Sequence, residues 1–157
     1  MHVDTPQSRC GFALAHGDIT PPSDIYHRMW GAAKHDRATG IHRPLRASVL
    51  LLAPLEGGER QFIIALDHCT MGSLEINNLL DAVCDHVDIK REELIIVFSH
   101  THAAGLMGLE RAHLPGGEMI KPYLESVADK TIDLVREVLD NIQPASIIYG
   151  SGWCNLA

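Results

Sequence analysis

The chain has 157 residues, 46% of them hydrophobic, and carries a formal net charge of −7 with a pI near 5.7. That length and apolar content, with no compositional break, suit one buried core, so a single domain over residues 1–157 is expected. The dispersed Lys and Arg cannot form the clustered positive surface that a phosphate backbone requires, which excludes nucleic acid as a partner.

No basic-then-apolar leader opens the sequence, and no apolar run approaches bilayer length. The expectation is a protein without a transmembrane segment, placed in the cytoplasm. Residues 11–17, GFALAHG, read as a strand that stops at Asp18-Ile19-Thr20-Pro21-Pro22, where paired prolines end regular structure. A loop rich in His, Gly and Pro then runs to about Pro44, long enough to suggest that it lies over a functional site.

ASVLLLA and QFIIAL follow as two antiparallel strands joined through Gly57-Gly58, a strong turn signal. Leu74, Leu79, Leu80, Val83 and Val87 recur at helical spacing over residues 73–87, with Ser73 placed to cap and Glu75 and Asp81 outward. LIIVF is a continuous apolar run with β-branched residues and predicts a strand covered on both faces. Ile120, Leu124, Val127, Leu134, Val138 and Ile142 mark an amphipathic helix over residues 118–142. Pro144 closes it before SIIYG, a last strand. The order β-β-β-α-β-α-β predicts an α/β fold, a layered mixed β-sheet with flanking helices.

Cys10, Cys69, Cys84 and Cys154 form no C-x-x-C pair, so they are expected to be reduced thiols and not zinc ligands. The ten histidines are concentrated in predicted loops. Three polar turns fall at strand ends, where open α/β sheets hold ligands: Asp18, Asp67-His68 and His100-Thr101-His102. Two imidazoles one residue apart in an extended segment project to one side and suit zinc, which in catalytic sites has about three protein ligands. The spacing alone leaves a metal site and a pair of solvated loop histidines both open.

Ala103-Ala104-Gly105 after the pair disfavours a metallo-β-lactamase-like site, which continues x-Asp-His, and the helical H-E-x-x-H pattern is absent. An amidohydrolase barrel needs eight βα units, more than this length provides.

The segments ALAHGDITPP, GIHRPLRASVLLL, FIIALD, IIVFSHTHAAG and YLESVADKTIDLVREVLDNIQPASIIYGSG, in this order, resemble the N-terminal part of the neutral/alkaline non-lysosomal ceramidase family. The resemblance runs from about Gly11 to Ala157. It implies that His100 is a ligand of a single catalytic Zn2+ and that His102 stabilises charge on the scissile amide of an N-acyl lipid, releasing a sphingoid base and a fatty acid. Ala103-Ala104-Gly105 departs from the family's Ser-Gly-Pro. The family's further ligands, a histidine, a glutamate and a tyrosine, correspond to sequence beyond Ala157.

The expectation is therefore a fragment of a larger catalytic domain, inactive alone, with an exposed sheet edge through which it could form a homo-oligomer. Asp18, Asp67 and His68 are candidates for orienting a ligand from outside the first set of donors, although turn chemistry is the stronger reading of Asp18 and an equal one for Asp67-His68. His42 is carried by the resemblance without an assigned role. Met29 and Trp30 are candidates to touch an acyl chain, or else to pack the loop on the core. The competing readings are a non-catalytic α/β binding or assembly domain that kept the fold, and a metal hydrolase acting on another N-acyl or ester substrate.

Overall fold

The computed structural model describes residues 7–29, 31 and 33–156, which leaves Trp30 outside the described residues. Strands β1 (Gln7–Asp18), β2 (Arg46–Ala53), β3 (Gln61–Leu66), β4 (Leu94–Phe98) and β5 (Gln143–Ile148) form one sheet in the order β4-β3-β2-β1-β5. Only β3 and β4 are parallel; β1 pairs antiparallel with both β2 and β5, and β2 with β3. The helices are α1 (Ser73–His86) and α2 (Ile120–Asp140), so the expected element order and mixed sheet are the observed ones.

The β2–β3 turn depends on glycine. Gly57 and Gly58 have φ of 84° and 137°, which side chains rarely adopt. From there the pleat sorts the residues: Ala47, Val49, Leu51 and Ala53 of β2 and Phe62, Ile64 and Leu66 of β3 are buried, whereas Ser48, Leu50, Leu52, Ile63 and Ala65 are half-buried. α2 packs its buried stripe of Ile120, Tyr123, Val127, Leu134, Val135 and Val138 on β1 and β2, and α1 packs against α2. α1 also supplies the long crossover that a parallel pair requires. One face of the sheet is thus covered and the other is partly open.

That arrangement corrects the reading of LIIVF. β4 is an edge strand, and Ile95 and Val97 are 45% and 41% exposed, because their side chains point to the face without helices. A continuous apolar run does not by itself distinguish two-sided burial from an apolar open face.

Other local expectations also change. Gly72, not Ser73, occupies the helix cap, and no side chain caps it. Glu75 is buried, with Oε1 accepting the Leu109 N–H at 2.9 Å, while Leu74 is exposed: the buried face of α1 is rotated from the predicted one. α2 begins at Ile120 after a short 3-10 turn, Gly117–Met119, and ends at Asp140. Ile142 lies beyond it and is exposed, and Pro144 belongs to β5 opposite Gly11, where an edge strand tolerates the missing N–H.

Candidate metal centre

Parallel pairing of β3 and β4 decides which loop residues meet. Leu66 lies opposite Phe98, so the chain leaves both strands side by side at their carboxyl ends. The Leu66 carbonyl oxygen accepts from the His68 N–H at 2.8 Å and from the Ser99 N–H at 3.1 Å, which fixes the two exits to each other. Cys69 and the His100-Thr101-His102 segment emerge from that junction.

His100 has φ of 57°, the only left-handed non-glycine residue among those described. The histidine pair is therefore not an extension of the strand, and simple alternation does not explain why its rings converge. The backbone turns at His100, and the two imidazoles meet edge to face with centroids 5.3 Å apart. Such a conformation costs a side-chain-bearing residue on the order of 1–2 kcal/mol and is found at sites where surrounding structure enforces it.

One potential donor atom from each of Cys69, His100 and His102 lies within 4.8 Å of the other two. Cys69 is buried and both histidines are exposed, so the group sits at the surface with its sulfur on the inner side. The Cys69 Sγ is 3.7 Å from Nδ1 and 3.8 Å from Nε2 of His100. Nδ1 of His100 is also 3.1 Å from the Cys69 carbonyl oxygen. A carbonyl can only accept, so Nδ1 carries a proton, and in the neutral ring the lone pair is then on Nε2, the arrangement that prepares an imidazole for a metal. One thiol and two imidazoles are a donor set suited to zinc.

The other predicted site residues hold the strand ends. Asp18 Oδ1 accepts the Thr20 N–H at 2.7 Å, and hydrogen bonding by Thr20 keeps this carboxyl below the usual range. Asp67 exchanges two bonds with Arg46: Oδ2 accepts the Arg46 N–H and the Asp67 N–H donates to the Arg46 carbonyl, each at 2.9 Å. His68 is fully buried, with Nε2 2.7 Å from the Tyr123 hydroxyl, which in turn donates to the Ile19 carbonyl at 2.7 Å. Among the described residues, Asp18, Asp67 and His68 are not in the three-residue group.

The long loop meets the 99–105 turn along a groove of ≈ 390 Å3 whose walls include Pro22, Ile25, His27, Ile41, Thr101 and Ala103. Thr101 and Ala103 bring this groove to the turn that carries the histidine pair; a separate apolar hollow of ≈ 170 Å3 lies between α1 and α2. Close approach of loop and turn depends on Gly105, where an added Cβ would fall 2.3 Å from the Cβ and 2.4 Å from the Cα of His27.

Cys69 is the group member that sequence reasoning missed. Its signal was its place just after the end of QFIIAL, in the same turn as Asp67-His68. Only the parallel pairing shows that this turn and the histidine pair are neighbours.

Two solved structures share this architecture. A ceramidase complexed with C2 matches with a TM-score of 0.67 at 15% identity, over 90% of this chain and 22% of that one. The chain shares the fold of one part of ceramidase. Neutral ceramidase from Pseudomonas aeruginosa matches with a TM-score of 0.66 at 16% identity, over 90% of this chain and 23% of that one. The chain thus spans less than a quarter of the length of either ceramidase. No family model matches the sequence, and no curated protein does.

Proposed function

We propose that this chain is the metal-holding part of a ceramidase-type hydrolase that cleaves the amide of an N-acyl lipid. The observation that carries the proposal is the convergence of His100 and His102 beside Cys69 at the carboxyl ends of the parallel pair, in a fold shared with ceramidase. His100 offers Nε2 to Zn2+. When bound, zinc supplies Lewis acidity for activating water and polarising a carbonyl.

His102 is the catalytic residue of this reading. Its imidazole stands beside His100, where an N–H can stabilise negative charge developing on the substrate oxygen. The adjoining groove, with Ile25 and Ile41 in its walls, is the place for the acyl chain. Asp18, Asp67 and His68 act through the backbone, by fixing the strand ends from which the group projects.

Among the described residues no helix is long and apolar enough to cross a membrane, and the cysteines are free thiols. A reducing cytoplasmic setting is part of the proposal. So is a second copy at the unpaired outer edge of β5, next to the exposed Ile148 and Tyr149.

The test is zinc stoichiometry together with fatty acid release from an N-acylsphingosine by the protein that carries this chain. His100→Ala should lose zinc and activity together; His102→Ala should lower turnover by about a hundredfold or more while keeping more of the metal. Normal zinc content and turnover in His100→Ala would overturn the proposal. Zinc binding by the wild type with hydrolysis of another N-acyl or ester compound would move the substrate. Metal-independent partner binding without hydrolysis would favour the assembly-domain reading, which the replacement of Ser-Gly-Pro by Ala103-Ala104-Gly105 supports.

A further inference from the structure

The structure assigns Cys69 as a metal ligand: its thiolate, His100 Nε2 and one His102 ring nitrogen form a three-donor site contained in this chain. The inference rests on the proposed metal role of His100 and adds a sulfur donor that the histidine motif does not include.

Distance is the first argument. Zinc–sulfur and zinc–nitrogen bonds of about 2.3 and 2.0–2.1 Å at a tetrahedral angle place sulfur and nitrogen about 3.5–3.6 Å apart. Cys69 Sγ stands 3.8 Å from His100 Nε2, near that spacing, and 3.7 Å from Nδ1. An ion on the Nε2 lone pair would put the sulfur about 5 Å from Nδ1, so the exposed His100 ring has to turn to present Nε2 to the ion.

Placement is the second. Cys69 is buried and the histidines are exposed, so sulfur would hold the ion from the protein side while the imidazoles close over it from the solvent side. Its neighbour His68 is locked to Tyr123, and Asp67 is bonded to Arg46, which leaves the Cys69 backbone little freedom to move away. The Cys69 carbonyl sets the tautomer of His100, so one residue supplies both a donor and the hydrogen bond that orients its partner.

Binding converts the Cys69 thiol to a thiolate and releases its proton to solvent. With zinc bound, His102 would supply the third donor through one ring nitrogen, which leaves its other N–H for the charge-stabilising role proposed above. Two imidazoles alone would bind weakly; a thiolate makes the site effective without residues beyond this chain.

The experiment is a Co2+ titration of the whole chain, followed by competition with Zn2+. One equivalent of Co2+ should produce a near-ultraviolet thiolate-to-cobalt charge-transfer band that zinc removes. Cys69→Ser should lose the band and weaken zinc binding at least about tenfold, since loss even of a residue that merely orients a ligand has effects of that size. His102→Ala should weaken binding and keep the band.

Tight Co2+ binding by the wild type without a thiolate band overturns the Cys69 assignment and leaves the histidine metal site standing. A band that survives Cys69→Ser also overturns it, by moving the sulfur to another cysteine. Absence of Co2+ and Zn2+ binding in the wild type overturns the metal reading as a whole. Where Cys69→Ser fails to fold, the wild-type spectrum still decides whether sulfur binds, and a band that persists in Cys10→Ser, Cys84→Ser and Cys154→Ser leaves Cys69 as its source, whereas its loss in one of them overturns the assignment.

Discussion

The sulfur of Cys69 lies 3.7 Å from Nδ1 of His100 although 31 residues separate them in the chain. The intervening residues are the α1 crossover and β4 itself, and the two meet because a parallel pair in register returns the chain to its starting level. An antiparallel β4 would place the histidine pair at the opposite end of the sheet, away from Asp67, His68 and Cys69. The Cys69–His100–His102 group is thus a consequence of strand direction.

The left-handed backbone at His100 can be separated from its imidazole. Asparagine adopts this conformation readily and glycine does so without steric cost. His100→Asn and His100→Gly should therefore match or exceed the thermal stability of the metal-free wild type while losing zinc affinity. Melting in chelator, set beside zinc competition, checks both halves. A loss of several kcal/mol in metal-free His100→Gly would mean that the ring is held for packing and not for a ligand.

Much of the fold was legible because the relevant signals are local. Gly57-Gly58 between two apolar runs predicts the hairpin, and the spacing of Ile120, Val127, Leu134 and Val138 predicts the buried stripe of α2. Strand order was not legible, since it depends on which edges pair across the whole chain. LIIVF looked central, and lies at an edge with Ile95 and Val97 on the open face. His100 and His102 could be read from spacing and resemblance, but Cys69 could not, because no short motif joins it to them. Glu75 looked like an outward helix residue, yet its carboxylate is recruited by the Leu109 N–H from a segment 34 positions away.

The free edge of β5 predicts self-association. Among the described residues its outer side has no strand partner, Ile148 is 67% exposed, and Trp153 and Leu156, which follow β5 in the chain, are exposed as well. Sedimentation at increasing concentration should show a reversible dimer. Ile148→Lys should shift it toward monomer, because a charge on an edge strand opposes strand addition. Monomer at every concentration would remove this edge as an assembly surface.

Tyr123 ties α2 to the ends of β1 and β3 through its single hydroxyl. Tyr123→Phe leaves the Ile19 carbonyl and the His68 Nε2–H buried without those partners. Each orphaned group costs about 1–3 kcal/mol, so a loss of about 3 kcal/mol is expected. For a chain of this size that lowers the melting temperature by roughly 6–12 °C. Urea unfolding with an unchanged m-value is the check, and a change below about 0.5 kcal/mol would show that water or a repacked loop replaces the hydroxyl.

His68 makes the same junction sensitive to acid. The Tyr123 hydroxyl gives its proton to Ile19, so His68 Nε2–H must donate to Tyr123, and Nδ1 is left buried without a partner. Burial holds this imidazole neutral down to about 4, against the opposing pull of the Asp67 carboxylate. An unfolded histidine titrates near 6.5, so between those values the unfolded chain takes up a proton that the folded chain refuses. Stability is then full above about pH 6.5 and declines as the pH falls toward 4, by on the order of 3 kcal/mol. Hydrogen bonding at Asp18 works in the same direction lower down, where its depressed carboxyl loses its contribution as the unfolded carboxylates protonate. Unfolding free energies measured in chelator from pH 7.5 to 4.5, so that metal release does not contribute, should slope downward in the wild type. The slope should flatten in His68→Gln, which has no group titrating in this range, and an unchanged slope in that variant would assign the acid sensitivity to other histidines.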